Sequence, residues 1–214
     1  MSLKDDRRQS SLKKEARRLI NKVFPLGRLV YFVTNNIHKF NEARLILAKY
    51  NIAVAMLRAK MPEIQDDNIE NIAKIGAIEA SRKTHLPVIV EDAGLFIDAL
   101  NGFPGPYSSY VYRTLGKEGI LRLLEGYENR RARFKSAVAF HGPGMETKCF
   151  LGVVKGKISK TVRGESGFGF DPIFEPDEFP GRTFGELSVE EKNRVSHRSR
   201  ALRSFAEWYL KMKN

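Results

Sequence analysis

The chain has 214 residues, 42% of them hydrophobic, and a formal net charge of +12; this length and apolar fraction predict one compact domain with a sizeable core. No stretch approaches the roughly 18 consecutive apolar residues that a membrane span needs, and the polar, charged start excludes a secretory signal, so we expect a soluble, cytoplasmic protein. The single cysteine, Cys149, excludes an internal disulfide and is interpreted as a small buried hydrophobe.

Half of the excess positive charge lies at the N-terminus. Residues 1–28 contain nine Lys or Arg and three Asp or Glu, which gives +6 of the total +12. We therefore assign residues 1–27 to a basic extension, with a short helix predicted over residues 11–23, and residues 28–214 to a single domain of two lobes. Nucleic-acid binding through this extension is the alternative function. The competing interpretation is a solvated appendage, since the extension has no known binding motif.

The first half of the domain alternates strands and helices. Continuous apolar runs predict strands over residues 29–34 and 52–57, and a run that begins at a proline predicts a third over residues 86–92. Apolar residues at helical spacing predict helices over residues 41–50 and 69–80. This alternation indicates an α/β fold with some parallel pairing.

The second half changes character. A loop rich in glycine and proline, residues 100–110, leads into a predicted helix over residues 116–127. Two further runs, residues 132–142 and 147–159, predict an antiparallel hairpin. The sheet is therefore predicted to be mixed.

A second glycine-rich loop, residues 164–174, precedes a helical C-terminal region. Ser188 and Glu191 match the Ser-x-x-Glu capping box, which predicts the start of a helix. An apolar stripe follows, formed by Leu202, Phe205, Tyr209 and Leu210.

The segment "TNNIHK" links the first strand to the first helix. Thr34, Asn35 and Asn36 leave the strand, and Lys39 lies in the first helical turn. Backbone N–H groups at a helix N-terminus together with a lysine favour an anion such as phosphate. Thr and Asn are also ordinary helix-capping residues, so the segment alone leaves both interpretations open.

The segment "VEDAGL" places two like charges side by side, Glu91 and Asp92, where a strand is expected to end. Adjacent carboxylates repel unless one is protonated or a cation lies beside them, and Mg²⁺ accepts oxygen ligands. Glu63 follows another strand and could complete such a site. Alternatively, Glu91 and Asp92 point to opposite sides of the strand end.

The segment "GFGFDP" combines flexible glycines with two aromatic rings. A planar base could stack on Phe168 while Asp171 accepts a hydrogen bond from it; the alternative is a tight turn with core aromatics. Lys192, His197 and Arg198 precede the last helix, and such a basic run is often only a solvated face.

Taken in order, the segments "TNNIHK", "PEIQ", "EDAGLFIDALNGFPGPYSSY", "GFGFDPIF", "EEKN" and "SHR" resemble the inosine triphosphate pyrophosphatase family over residues 29–211. The resemblance implies an α/β fold, an elongated mixed β-sheet with flanking helices and two lobes around a central substrate cleft, usually as a homodimer. The implied activity is hydrolysis of ITP, dITP and XTP, the non-standard purine nucleoside triphosphates, at the α,β-phosphate bond to the monophosphate and pyrophosphate.

The resemblance also implies the roles of individual residues. Asp92 would be the catalytic base and, with Glu63 and Glu91, a ligand of the cofactor Mg²⁺. Substrate contacts are implied at Thr34, Asn35, Asn36, Ile37, His38, Lys39, Ala93, Phe168, Gly169, Phe170, Asp171, Lys192, His197 and Arg198. The chain departs from the family pattern at Asn35, Ala93 and Phe170, where glycine or serine, serine, and tyrosine or tryptophan are frequent. Ala93 has no hydroxyl with which to contact a substrate.

Other nucleotide-handling classes fit less well. The P-loop sequence Gly-x-x-x-x-Gly-Lys-Ser/Thr is absent, which argues against a kinase or other P-loop NTPase. A related pyrophosphatase that acts on standard or methylated pyrimidine nucleotides stays open as an alternative.

Overall fold

The computed structural model describes residues 28–59 and 64–213. The basic extension, with its predicted helix over residues 11–23, and Glu63 lie outside the described residues. Within the part that is described, no helix is both long and apolar enough to span a membrane.

Seven strands and six helices form the described fold. The strands are β1 (Arg28–Val33), β2 (Ile52–Leu57), β3 (Val88–Ile97), β4 (Pro104–Gly105), β5 (Arg131–His141), β6 (Lys148–Ile158) and β7 (Phe174–Pro176). The helices are α1 (Ile37–Ala48), α2 (Ile69–Thr84), α3 (Ser108–Thr114), α4 (Gly116–Leu123), α5 (Val189–Val195) and α6 (His197–Lys213).

One mixed sheet connects all seven strands. Its order is β2-β1-β3-β5-β6-β7, and β4 pairs with β3 outside this path. Strand β1 runs parallel to β2 and β3, whereas β3, β5, β6 and β7 pair antiparallel. The predicted α/β fold, the mixed sheet and the β5–β6 hairpin are therefore confirmed.

Two large apolar cores define the two lobes. The first lies between the sheet and helices α1 and α6, and its centre includes Phe32, Leu47 and Phe205. The second lies at the other end of the long strands, where Phe134 and Phe174 pack with residues of α3 and α4. Helix α2 covers part of the opposite sheet face through small residues such as Ala73 and Ala77. The long strands β3, β5 and β6 therefore join the lobes.

Strand β3 is longer than the sequence predicts. The parallel ladder with β1 reaches only to Ile89, but the antiparallel ladder with β5 continues from Val88 to Ile97. Glu91 and Asp92 therefore lie within a strand and not at its end. Because β5 is eleven residues long, it supplies backbone partners well beyond the point at which β1 stops.

Helix boundaries follow their capping residues. Helix α1 begins at Ile37, four positions before the predicted helix, because the Asn36 side chain caps it. Ser188 and Glu191 form both hydrogen bonds of the predicted capping box at the start of α5. The predicted apolar stripe is also confirmed, since Leu202, Phe205 and Tyr209 are buried and Leu210 is partly buried against the first core.

Helix α6 packs directly on the backbone of β6. A Cβ atom on Gly152 would overlap the carbonyl oxygen of His197 and the amide nitrogen of Ala201. This close approach brings the first turn of α6, with His197 and Arg198, down onto the sheet.

Gly152→Ala should therefore lower the free energy of unfolding by at least about 2 kcal/mol, because the added methyl group meets rigid backbone and not a movable side chain. Urea denaturation followed by circular dichroism measures this change. Leu151→Thr is the matched control, since Leu151 is 43% exposed on the neighbouring position and should change stability by less than about 0.5 kcal/mol. Equal denaturation midpoints for the two variants would contradict the close packing.

Candidate active site

The candidate site is centred on a stretch of β3 that has no strand on one side. Strand β1 leaves β3 after Ile89, and β4 joins it only at Leu95. Among the described strands, residues 90–94 pair with β5 alone. The segment that follows β1 enters this gap, where Lys39 Nζ lies 3.5 Å from the backbone oxygen of Glu91.

The segment Thr34–Lys39 is organised by its own side chains. Thr34 Oγ1 accepts a hydrogen bond from the Asn36 amide at 3.1 Å. Asn36 Oδ1 accepts from the amides of His38 and Lys39 at 2.9 and 3.1 Å. The helix-capping interpretation is correct for Asn36, while Asn35, Ile37 and His38 are exposed. Lys39 therefore remains the group of this segment best suited to bind a phosphate.

Glu91 and Asp92 project from opposite faces of β3, because side chains alternate along a strand. Glu91 lies on the face of α6, where its Oε1 accepts from Ser136 Oγ at 2.7 Å and from Arg198 Nε at 2.9 Å. Lys39 Nζ lies 3.5 Å from its Oε2. Alternation places Asp92 on the same face as Val90, which packs against the α2 cluster. The alternative that the two carboxylates point to opposite sides is therefore correct.

This arrangement bears on the predicted metal ligands. The Glu91 carboxylate is already neutralised by Arg198 and Lys39, and its side chain is 1% exposed, so a shared ion with Asp92 is not favoured. The described residues contain no group of three His, Cys, Asp or Glu side chains that could hold a metal ion. Asp92 remains a candidate ligand, and Glu63 lies outside the described residues.

A chain of buried ion pairs links α1 to β3, α5, α6 and the glycine-rich loop, at the place where the resemblance implies a substrate cleft. Glu42 on α1 accepts hydrogen bonds from Lys192 Nζ at 2.7 Å and from Arg198 Nη1 at 2.5 Å. Lys192 also donates to Asp171 Oδ2 at 2.7 Å, and Arg198 donates to Glu91. With Lys39, the network contains three carboxylates and three cations. We call this set the cleft network.

Two opposing effects set the pKa values in the network: burial disfavours the charged form of each group, and the neighbouring opposite charges favour it. Burial raises the pKa of Glu91, but Arg198 and then Lys39 outweigh it and lower the value to about 2. Burial likewise raises the pKa of Glu42, while Arg198 and Lys192 lower it to about 2. Burial lowers the pKa of Lys192, and the Asp171 and Glu42 carboxylates reverse the shift and raise it. Glu91, Glu42 and Lys192 are therefore charged at neutral pH.

His197 lies beside this network but has a different protonation state. It is buried, and its ring stacks on Phe134 with a centroid distance of 4.7 Å and an interplanar angle of 11°. Burial, followed by the nearby Arg198 cation, lowers the pKa of His197 well below its ordinary value. The imidazole is therefore neutral at pH 7, and a substrate contact by it stays a prediction.

The glycine-rich loop faces the network from the second lobe. Asp171 Oδ2 accepts from the Phe168 amide at 2.7 Å, and Gly167 has a φ of +77° with no room for a Cβ atom beside Asp171. Phe168 is half-buried, while Phe170 is 3% exposed in the second core and contacts Tyr112 edge to face. Phe168 can therefore offer its ring to a ligand, whereas Phe170 packs the loop against the core.

Three groups from distant parts of the chain surround the Phe168 ring. Lys192 Nζ and the Arg198 guanidinium carbon lie 5.0 and 5.3 Å from its centroid. The His38 ring stacks on it at 5.2 Å. A planar group bound here would meet an aromatic face and two cations.

The structure thus brings together most of the predicted site residues and adds one. Lys39, Glu91, Asp171, Lys192 and Arg198 meet through the cleft network, as described above, and Ala93 lies on the open stretch of β3. Glu42 is the residue that the sequence analysis missed. Its only signal is its place one turn after Lys39 in a helix, which cannot reveal partners 150 and 156 residues away.

The fold and the site together define an α/β protein whose interlobe cleft is suited to a phosphorylated ligand with a planar ring. Comparisons with known proteins agree. Residues 30–208 match the Ham1 family, and the chain belongs to that family.

Relatives and solved structures extend the match over most of the chain. A dITP/XTP pyrophosphatase of Methanopyrus kandleri is 54% identical over 84% of this chain and 95% of its own length. One from Thermococcus kodakarensis is 50% identical over 83% and 95%. The structure of the Staphylococcus aureus Ham1 protein has a TM-score of 0.76 and 31% identity, with 87% of this chain and 100% of that chain covered.

The cleft network should make stability fall in acid. The folded pKa values of Glu42 and Glu91 are depressed to about 2 from 4.5, so their contribution is fully present above about pH 4.5 and is lost as the pH falls towards 2. A shift of this size corresponds to about 3 kcal/mol for each carboxylate. Urea denaturation at pH 7, 5, 4 and 3 measures the loss.

Glu91→Gln tests the assignment. It should lower the free energy of unfolding at pH 7 by about 3 to 5 kcal/mol, since Arg198 loses a buried partner, and it should flatten the acid dependence. Glu79→Gln, which alters an exposed pair with Arg82, is the matched control and should change stability by less than about 1 kcal/mol. An unchanged acid dependence in Glu91→Gln would contradict the assignment.

Proposed function

We propose that this chain hydrolyses ITP, dITP and XTP at the α,β-phosphate bond and releases the nucleoside monophosphate and pyrophosphate. The observation that carries the proposal is that two sets of groups meet at one cleft. Lys39 and the open stretch of β3 lie on one side. The other side provides Phe168, Lys192 and Arg198. The names of the Ham1-family relatives, dITP/XTP pyrophosphatases, support the same activity. Removal of such nucleotides from the pool is the resulting role.

Phosphate binding is assigned to the segment Thr34–Lys39. Lys39 is a flexible cation whose side chain is 18% exposed, and it lies at the carboxyl end of β1, where α/β proteins commonly bind ligands. A bound triphosphate would compete with Glu91 for this lysine. Lys39 would then stabilise the negative charge that develops on the departing pyrophosphate.

The attacking water is assigned to Asp92. A carboxylate can accept the proton of water as the water attacks the α-phosphorus. Glu91 is less suited to this role, because its side chain is 1% exposed and is ion-paired with Arg198 and Lys39. Glu91 instead holds Arg198 and Lys39 in position.

Magnesium fits the donor chemistry of Asp92. In nucleotide sites Mg²⁺ commonly takes one or two protein carboxylates and completes its shell with phosphate oxygens and water. We propose Asp92 and Glu63 as these ligands, with Glu91 as their positioning neighbour. When bound, the ion would lower the pKa of the attacking water and neutralise phosphate charge.

The purine base is assigned to the ring of Phe168. Stacking on an aromatic ring accepts any base, so discrimination must come from its polar edge. Arg198 uses Nε and Nη1 for Glu91 and Glu42, and we assign its Nη2 to the 6-carbonyl of hypoxanthine or xanthine. Adenine has an amino group at this position. The amino group and Arg198 Nη2 are both hydrogen-bond donors, so they would face each other unpaired at a cost of about 1 to 3 kcal/mol.

The substrate preference gives the first test. The purified chain with Mg²⁺ should convert ITP, dITP or XTP at least about tenfold faster than ATP in kcat/KM, as the unpaired amino group of adenine requires. Ion-exchange chromatography identifies the products as monophosphate and pyrophosphate. Orthophosphate as the first product, or dUTP or dCTP as the best substrate, would refute the proposal.

Asp92→Asn tests the base. The amide cannot accept the proton, so kcat should fall by about 100-fold or more while the denaturation midpoint stays close to that of the unmodified chain. Asp98→Asn alters a half-exposed acid at the end of the same strand, which contacts Arg133 at 3.7 Å, and it should keep full activity. Near-normal kcat in Asp92→Asn would remove this residue from the role.

A homodimer, which the resemblance implies, and a cytoplasmic location both stay predictions. Light scattering on the purified chain measures the first, and a mass of 24.4 kDa would contradict it.

A further inference from the structure

His38 makes a contact that a phosphate-binding role does not explain. Its side chain is exposed on the first turn of α1, yet its ring stacks on Phe168 with a centroid distance of 5.2 Å and an interplanar angle of 20°. The two residues are 130 positions apart and belong to opposite sides of the cleft. The imidazole therefore covers part of the ring to which the purine base is assigned.

The spacing leaves no room for a base between the two rings. A base stacked on both sides needs about 3.4 Å from each ring, or roughly 7 Å between their planes, and the usual range for aromatic pairs is about 4.5 to 7 Å between centroids. At 5.2 Å, one of the rings must move before a base can stack on this side of Phe168.

His38 is the ring that can move. The Phe168 ring is half-buried, with Lys192 Nζ and the Arg198 guanidinium carbon 5.0 and 5.3 Å from its centroid. The Phe168 backbone amide is also bound to Asp171. The two sides of the cleft cannot separate easily, since Glu42 on α1 is bonded to both Lys192 and Arg198. The His38 side chain, in contrast, is exposed and can turn about its own rotatable bonds.

We propose that His38 is a displaceable cap on Phe168: its imidazole covers the base-stacking ring in the absence of substrate and leaves it when a purine nucleotide binds. The inference rests on the proposed function for the identity of the incoming group, a purine base. His38 is then a positioning residue that competes with the base, and not a substrate contact.

The competition has a defined kinetic signature. Every base must displace the same imidazole, so the cap weakens binding of all nucleotides by one factor and does not change the rate of the step that follows. Removal of the ring should lower KM about two- to tenfold, the range that aromatic pairs contribute, with kcat unchanged. The ratio of kcat/KM for ITP to that for ATP should stay the same.

Three variants of His38 test this signature. His38→Ala and His38→Gln should both lower KM for ITP, and His38→Trp, which stacks more strongly, should raise it. Leu45→Ala, at a position that is 47% exposed on the same helix, is the matched control and should leave KM and kcat unchanged. A higher KM or a lower kcat in His38→Ala would overturn the proposal, as would equal KM values for His38→Ala and His38→Trp.

A proton NMR measurement reports the contact without any turnover. The chain has four histidines, and the ring signals missing in His38→Gln identify those of His38. Stacking on Phe168 should shift these signals upfield, and both Phe168→Leu and saturation with inosine monophosphate should return them to the position of a solvated histidine. Signals that are unshifted in the unmodified chain, or that move further upfield with inosine monophosphate, would overturn the cap.

The two experiments separate the two proposals. Absence of pyrophosphate release from ITP would refute the proposed function, whereas the NMR signals of the nucleotide-free chain would still decide whether His38 covers Phe168.

Discussion

The cleft network is the interaction on which the site depends. Glu42 binds both Lys192 and Arg198; Lys192 also binds Asp171, and Arg198 also binds Glu91. These charged groups, almost all of them buried, connect α1, β3, the glycine-rich loop and the start of α6. Burial of a single charge without a partner would be costly, and a complete set of opposite partners offsets that cost. Each element is therefore held in a position that only the whole network satisfies.

The network also explains the two adjacent acids. Glu91 and Asp92 do not face each other, because β5 keeps β3 extended and alternation sends their side chains to opposite faces. On one face Arg198, Ser136 and Lys39 surround Glu91. On the other face Asp92 lies on the same open stretch of β3, at the edge that no described strand covers. Two neighbouring carboxylates thus acquire different surroundings, which permits different roles.

The two sides of the cleft supply different chemistry. In the first lobe, β1 is followed by the segment that carries Lys39, and part of β3 has no neighbouring strand on that side among the described residues. The missing strand leaves space beside the backbone of Glu91. The second lobe supplies an aromatic ring held by Asp171. Charge and a planar face therefore meet at one point, which suits a ligand that is itself part phosphate and part ring.

Local patterns in the sequence determined much of the fold. Apolar runs predicted the five longer strands but not the short β4 and β7, which lie in or at the end of predicted loops. The Ser188 capping box predicted the start of α5, and the hairpin β5–β6 followed from its turn, because propensity, capping and turn chemistry act over a few residues. The ordered segments likewise predicted most of the residues that now surround the cleft. Each of these motifs alone was ambiguous, and the prediction of the site residues depended on the resemblance of the whole ordered series to a family.

Other features were decided only by tertiary structure. The length of β3 depends on β5, which begins only at Arg131. The role of Glu42 depends on Lys192 and Arg198, and the burial of Phe170 but not Phe168 depends on where the second core ends. No local pattern encodes such pairings, because charge partners and burial are properties of atoms brought together from distant positions.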